Sequence, residues 1–225
     1  SGPCEVHVHD IGYQGSQACV YRLTIREGVR TKWVYPLGGR RGTSVPIEVG
    51  LAEYAQPDEV HHVEVDLKSV SDGVNVIPTP LTVGDQQAEE LLLSVSDLPE
   101  VLETEPNDSP DSTSPVEAVS VLNGRIDRPG DKDLWPIAVR EGQKVELKLT
   151  AGKLQSRLQP VLSVLDSAGN SIAPTDSQPV STNSQASDVQ LSFIPESDGT
   201  YWICVQDQFP SRGGPDFGYR LQTGT

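Results

Sequence analysis

The sequence predicts an all-β protein built from two β-sandwiches, the first Ig-like and the second jelly-roll-like, preceded by an N-terminal β-hairpin. The first observation is composition: the 225 residues include 20 Gly, 18 Pro and no Met, which is typical of short strands joined by turns. The second is periodicity, since apolar and polar residues alternate in many short segments. Both observations favour strands over helices along the whole chain.

Residues 1–27 are expected to form the C-terminal hairpin of a truncated preceding domain. The segment Cys4–Asp10 and the triplet Tyr21–Leu23 repeat a pattern found at the other end of the chain, in Tyr201–Asp207 and Tyr219–Leu221. Self-similarity of this kind indicates repeated units, and hence a fragment of a longer protein. Because an isolated hairpin is marginal in water, it would pack on the middle domain, pair with a neighbouring molecule or move freely.

Residues 28–102 are expected to form the Ig-like sandwich. Alternation is clean in Val45–Val49 and in Val60–Leu67, and Asp72-Gly73 marks a turn between strands. Strands at short, regular intervals over about 70 residues favour a sandwich of this kind. The segment Pro36–Thr43 reads Pro-x-Gly-Gly-x-x-Gly-Thr and resembles, over a short match, the Ig-like IPT/TIG module of surface proteins.

Residues 103–225 are expected to form the second sandwich. Seven segments alternate as strands do: 119–126, 134–139, 144–150, 159–165, 187–194, 199–206 and 218–223. The Ser/Thr/Gln-rich stretch 173–186 is expected to be a long surface loop.

An acidic run begins this second domain and points to a metal site. In an extended segment Glu103, Glu105 and Asn107 would share one face, and so would Asp131 and Asp133. If the two segments meet, like charges about 4 Å apart repel by roughly 1 kcal/mol per pair in water and by more where water is excluded. Oxygen donors without His or Cys suit a hard cation, and their number suits calcium better than magnesium. The alternative is an acidic, solvated linker between domains.

These motifs resemble a known family, the bacterial pre-peptidase C-terminal domain, and its relatives the collagen-binding domains of secreted bacterial collagenases. The matching residues are Glu-x-Glu-Pro-Asn-Asp at 103–108, Gly124-x-Ile126, Gly130-Asp131-x-Asp133-x-Trp135 and Asp198-Gly199-Thr200-Tyr201. The resemblance implies a jelly-roll sandwich in which the acidic segment holds calcium. Carried over by position, it implies six ligands: Glu103, Glu105, Asn107, Asp108, Asp131 and Asp133.

The sequence therefore predicts a non-catalytic, calcium-stabilised accessory module of a secreted or cell-surface bacterial protein. Expected partners are the neighbouring domains of the same chain, with an extracellular polysaccharide or protein fibre as a further candidate. A net charge of −15 argues against nucleic acid and against an anionic membrane surface. The alternative is part of a secreted hydrolase, a peptidase with its site at the domain interface, in which His61 and His62 would be the groups to examine.

Overall fold

The computed structural model describes most of the chain in strands and their connecting turns. The described residues are 3–10, 12, 15–17, 20, 21, 23, 25, 29–51, 59–84, 86–110, 115–172, 176–179 and 188–225. Strands dominate and no α-helix is found in these ranges, which confirms the predicted all-β class. Within them there is also no helix of the length and apolar character needed to cross a membrane.

Two small sheets pack face to face in the first part of the chain. Its strands are β1 (Thr31–Tyr35), β2 (Gly38–Arg40), β3 (Ser44–Leu51), β4 (Val60–Asp66), β5 (Val76–Thr79), β6 (Thr82–Val83), β7 (Gln86–Gln87) and β8 (Leu91–Ser96). One sheet has the order β1-β3-β4 and the other β2-β8-β5, with β6 and β7 forming a short hairpin. Alternate residues such as Ile47, Val49 and Leu93 are buried in one core between the sheets, because side chains of a strand point to opposite faces in turn.

A larger pair of sheets forms the second sandwich. Its strands are β9 (Glu100–Leu102), β10 (Val121–Arg125), β11 (Lys132–Val139), β12 (Val145–Thr150), β13 (Pro160–Leu165), β14 (Ser171–Ile172), β15 (Asp176–Pro179), β16 (Val189–Phe193), β17 (Gly199–Asp207) and β18 (Gly218–Gly224). The sheets have the orders β15-β16-β12-β18-β10-β9 and β11-β17-β13-β14. Their inner faces share a core that includes Leu122, Ile137, Leu147 and Phe193.

Two details of this sandwich differ from the sequence-based expectation. Strand β9 pairs with β10 in parallel, so the second sheet begins slightly before Glu103, where the domain boundary was predicted. The loop predicted over 173–186 contains β15, which pairs with β16; the remainder of that stretch lies outside the described residues. Strand pairing depends on neighbours distant in sequence, which a local pattern does not report.

The N-terminal hairpin predicted within residues 1–27 is not observed. Part of this stretch lies outside the described residues, and those described there form no strand. The side chains of Val6, Val8, Tyr21 and Leu23 are exposed. A pair of strands without a third strand or an apolar face to cover is marginal in water, which accounts for the difference.

The two sandwiches are in direct contact. Leu154, in a 3-10 turn at Gly152–Leu154 of the second sandwich, is 3% exposed and belongs to the core of the first. Three residues, 97–99, separate β8 from β9. A shared core residue and a short connection hold the two units against each other.

Candidate metal centre

Two segments of the second sandwich meet beside the contact between the units. The first, Glu103–Asp108, follows β9 and includes a cis peptide bond between Glu105 and Pro106. The second is the turn that precedes β11, in which Gly130 has a positive φ of 80°, a conformation that glycine adopts without strain. The Leu134 amide donates to the Asn107 carbonyl oxygen at 3.1 Å, which ties the two segments together.

The six predicted ligands converge at this junction. Carboxylate oxygens of Glu103, Glu105 and Asp133 lie within 4.8 Å of one another, and so do those of Glu105, Asp108 and Asp131. Glu105 belongs to both groups and joins them. The convergence was expected from alternation along a strand, whereas the structure achieves it in a segment that is not a strand. Whether the group binds a metal stays a prediction.

The Asn107 side chain, the sixth member, lies between the two segments and is only 3% exposed. Its amide is 3.1 Å from Glu105 Oε1 and 3.2 Å from Asp133 Oδ1. With its nitrogen turned toward these atoms, the amide donates a hydrogen bond to each carboxylate. With its oxygen turned toward them, three oxygens face one another as they do around a shared cation.

Burial makes these carboxylates costly to ionise. It raises the pKa of Glu103 from 4.5 to about 8, and burial followed by the charge of Glu103 raises the pKa of Asp133 well above its ordinary value. Burial is also the main cause that raises the pKa of Glu105 and of Asp131. Like charges removed from water disfavour ionisation, so the group needs either protons or a cation.

The buried carboxylate of Asp133 is held from inside the core. Its Oδ2 accepts a hydrogen bond from the Tyr219 hydroxyl at 2.5 Å, and that hydroxyl accepts one from Trp135 Nε1 at 2.8 Å. A Cβ at Gly124 would lie 2.3 Å from the same hydroxyl oxygen, so only glycine fits there. Gly124 and Trp135 belong to the family motifs and Tyr219 to the repeated Tyr-Arg-Leu pattern, but no sequence signal connected them to the carboxylate.

Glu103 connects the site to the first sandwich. Its Oε1 accepts from the Tyr35 hydroxyl at 3.1 Å, and its Oε2 accepts from the Arg125 amide at 2.9 Å. The Arg125 guanidinium lies 4.5 Å from the centre of the Tyr35 ring and 3.2 Å from Glu48 Oε2. Sequence reasoning missed Tyr35 and Arg125, because nothing in the local pattern links residues so far apart.

Arg128 lies at the outer side of the group. Its guanidinium is 2.6 Å from Asp108 Oδ2 and 3.3 Å from Asp131 Oδ1, and the side chain is half exposed. Asp131 Oδ2 accepts from the Asp127 amide at 2.6 Å, whereas its buried Oδ1 has no hydrogen bond. A buried carboxylate oxygen with an ion pair but no hydrogen bond, among neighbours that offer only oxygen atoms, could bind a hard cation.

The histidines of the alternative hypothesis lie elsewhere. His61 and His62 are on β4, an edge strand of the first sandwich. His61 Nδ1 lies 3.9 Å from Glu59 Oε1. Neither histidine belongs to the two acidic groups around Glu105.

Comparison with known proteins shows a similarity in structure and none to a family model or a curated protein. Among solved structures, the chain is similar to the pre-peptidase C-terminal domain of collagenase from Bacillus anthracis, with 11% sequence identity and a TM-score of 0.37. The match covers 54% of this chain and 100% of that domain. That domain is a member of the family that the motifs at 103–108 and 130–135 resemble.

Proposed function

We propose that this chain is a non-catalytic accessory module of a secreted or cell-surface protein, stabilised by calcium bound between Glu103–Asp108 and the turn before β11. The observation that supports the proposal is the convergence of five carboxylates and one amide at a single junction. Four of these carboxyls have a raised pKa. Because these buried groups repel one another when ionised, a bound divalent cation would stabilise their charged form.

Each residue has a defined part in this proposal. Glu105 bridges the two acidic groups, and Asp133 is oriented by Tyr219 from the core side. Glu103 is oriented by Tyr35 and by the Arg125 amide. A bound cation would supply positive charge that offsets the mutual repulsion of the carboxylates. Because the unfolded chain does not assemble this group, binding free energy adds to folding free energy.

The biological role that fits such a module is that of a spacer or adhesion unit. Extracellular calcium modules bind at about 0.1–1 mM, so this one would be loaded outside the cell and empty inside it. Neighbouring domains of the same chain are the proposed primary partners, and an extracellular polysaccharide or protein fibre is a further one. The module would hold the neighbouring domains in position, and any catalytic activity would lie in another part of the protein.

The decisive experiment is calorimetric titration with calcium and with magnesium, combined with thermal melts in calcium or chelator. At a calcium concentration ten times Kd, binding adds about 1.4 kcal/mol, which corresponds to roughly 3–6 °C for a chain of this length. Asp131→Asn keeps the acceptor for the Asp127 amide and removes a charge, so both the binding heat and the calcium-dependent shift should be largely lost.

Glu196→Gln is the matched control, since Glu196 is exposed and outside the group. It should bind calcium as the parent does. Equal melting temperatures in calcium and chelator for the parent, with no heat of binding, would contradict the proposal.

A further inference from the structure

Residues near the N-terminus repeat the pattern of the two central strands of the second sandwich. Val6, Val8 and Asp10 have the spacing of Ile203, Val205 and Asp207 in β17. After a glycine-containing interval, Tyr21-Arg22-Leu23 repeats Tyr219-Arg220-Leu221 of β18. The chain therefore carries the same two strand sequences twice, with similar separations.

The two copies differ completely in burial. In the C-terminal copy, Ile203, Val205, Tyr219 and Leu221 are all 0% exposed. Their N-terminal counterparts are exposed at 54% for Val6, 47% for Val8, 70% for Tyr21 and 52% for Leu23. Side chains of this size normally cluster on a buried face. The N-terminal copy thus has the composition of a core strand pair without its core.

The topology of the C-terminal copy shows which neighbouring strands cover such a pair. Strand β17 lies between β11 and β13, and β18 lies between β12 and β10 in the opposite sheet. The two strands do not pair with each other; each is a central strand of its own sheet. A second pair with the same pattern requires flanking strands on both sides in both sheets.

We propose that residues 4–10 and 20–25 are central strands, one in each sheet, of a further sandwich whose remaining strands precede Cys4 in the parent protein. Those strands require roughly 100 residues. In the C-terminal copy the Tyr219 hydroxyl donates to Asp133 and accepts from Trp135. Tyr21 would find an equivalent acceptor, so the preceding residues should contain an Asp-x-Asp turn ahead of a strand. The inference does not depend on the cation.

A second copy of this chain is a poorer partner for the segment. In the second sandwich the central positions are already filled by β17 and β18. Another molecule could therefore offer this segment only the edge of a sheet. Edge pairing covers one side of one strand, whereas the pattern of Val6, Val8, Tyr21 and Leu23 is that of strands paired on both sides.

Hydrogen exchange on the parent protein tests this directly. Amides of residues 4–10, 20, 21, 23 and 25 should exchange rapidly in the 225-residue chain and at least roughly a hundredfold more slowly in the parent protein that includes the preceding residues. Val8→Asp should leave the melting temperature of the 225-residue chain unchanged and lower that of the preceding sandwich in the parent. Val205→Asp, at the equivalent buried position, should destabilise both proteins.

Three results would overturn the inference. The first is a parent sequence without strand-like segments and an Asp-x-Asp turn ahead of Cys4. The second is rapid exchange of these amides in the parent. The third is protection that appears in the 225-residue chain as its concentration rises, which would identify a second copy as the partner.

Discussion

Tyr219 joins the acidic group to the hydrophobic core through one hydroxyl. The ring is fully buried, and its oxygen lies between Asp133 and Trp135. Burial, reinforced by the charge of Asp133, raises the pKa of Tyr219 well above its ordinary value. The phenol therefore stays a donor, and the Asp133 carboxylate keeps its orientation.

Gly124→Ala tests the space that this hydroxyl needs. The new methyl group would lie 2.3 Å from the Tyr219 oxygen and 2.8 Å from Glu103 Oε2, so we expect a loss of about 1–3 kcal/mol from overpacking together with weaker calcium binding. Chemical denaturation and calorimetric titration measure the two effects. Gly224→Ala is the control, since its nearest neighbour is 4.0 Å away. Equal stabilities for the two variants would contradict the packing argument.

The raised carboxyl pKa values predict how stability changes with pH. The folded, cation-free chain retains a proton on Glu103 up to about pH 8, whereas the ordinary pKa is 4.5. The stability that this group contributes is therefore full below about pH 4.5 and lost as the pH rises through about 8. In chelator, the melting temperature should fall over this range, and calcium should restore most of it at the alkaline end.

Glu103→Gln provides the comparison for that measurement. The amide oxygen can accept from either the Tyr35 hydroxyl or the Arg125 amide, which donate to different oxygens of Glu103, and the side chain no longer titrates. Its melting temperature in chelator should depend less on pH than that of the parent. An identical pH dependence in both proteins would assign the effect to other carboxylates.

At the scale of single residues, the sequence indicated the acidic side chains of the site but not the residues that orient them. The spacing of Glu103, Glu105 and Asn107 and the pair Asp131 and Asp133 indicated which side chains would share a site if the two segments met. Their polar atoms do lie close together, and metal binding stays a prediction. The contact of Tyr35 with Glu103 could not be predicted, because it spans two sandwiches and has no periodic signal.

The positions of individual strands could be predicted from the local pattern, but the strands with which they pair could not. Alternation predicted β3 and β4, in which alternate residues such as Ile47, Val49 and Val65 are buried. The predicted N-terminal hairpin assumed that neighbouring segments pair, whereas the described residues of that stretch form no strand. Strands β17 and β18, which carry the same pattern, lie in different sheets, and only tertiary packing decides that.

The 3-10 turn at Gly152–Leu154 is the element that joins the cores. Leu154→Ala should cost about 2–5 kcal/mol, with the loss in the first sandwich although the residue belongs to the second. Hydrogen exchange at Val49 and Leu93 would locate the effect. Ile194→Ala serves as the control, because Ile194 is 52% exposed and should change little. A loss confined to the second sandwich would refute this role.

For the whole molecule, Arg125 connects the two units. Its guanidinium forms ion pairs with Glu48 of the first sandwich at 3.2 Å and with Asp127 of the second at 2.6 Å, and it stacks on Tyr35. The side chain is 18% exposed, so the contacts are partly shielded from water and worth more than a surface pair.

Arg125→Ala should therefore weaken the coupling between the sandwiches. We expect a loss of about 2–3 kcal/mol and a broader or divided transition in scanning calorimetry, since each unit would then unfold more independently. Arg140→Ala is the control, because Arg140 is exposed. A single sharp transition at the parent temperature would show that Arg125 does not couple the units.

The placement of Leu154 has a consequence for synthesis on the ribosome. Domains generally fold in order as they emerge, and the eight strands of the first sandwich leave the exit tunnel well before this residue does. The core of the first sandwich therefore lacks the Leu154 side chain until the middle of the second sandwich has been translated. Nascent chains ending before and after Leu154 should differ in their resistance to proteolysis.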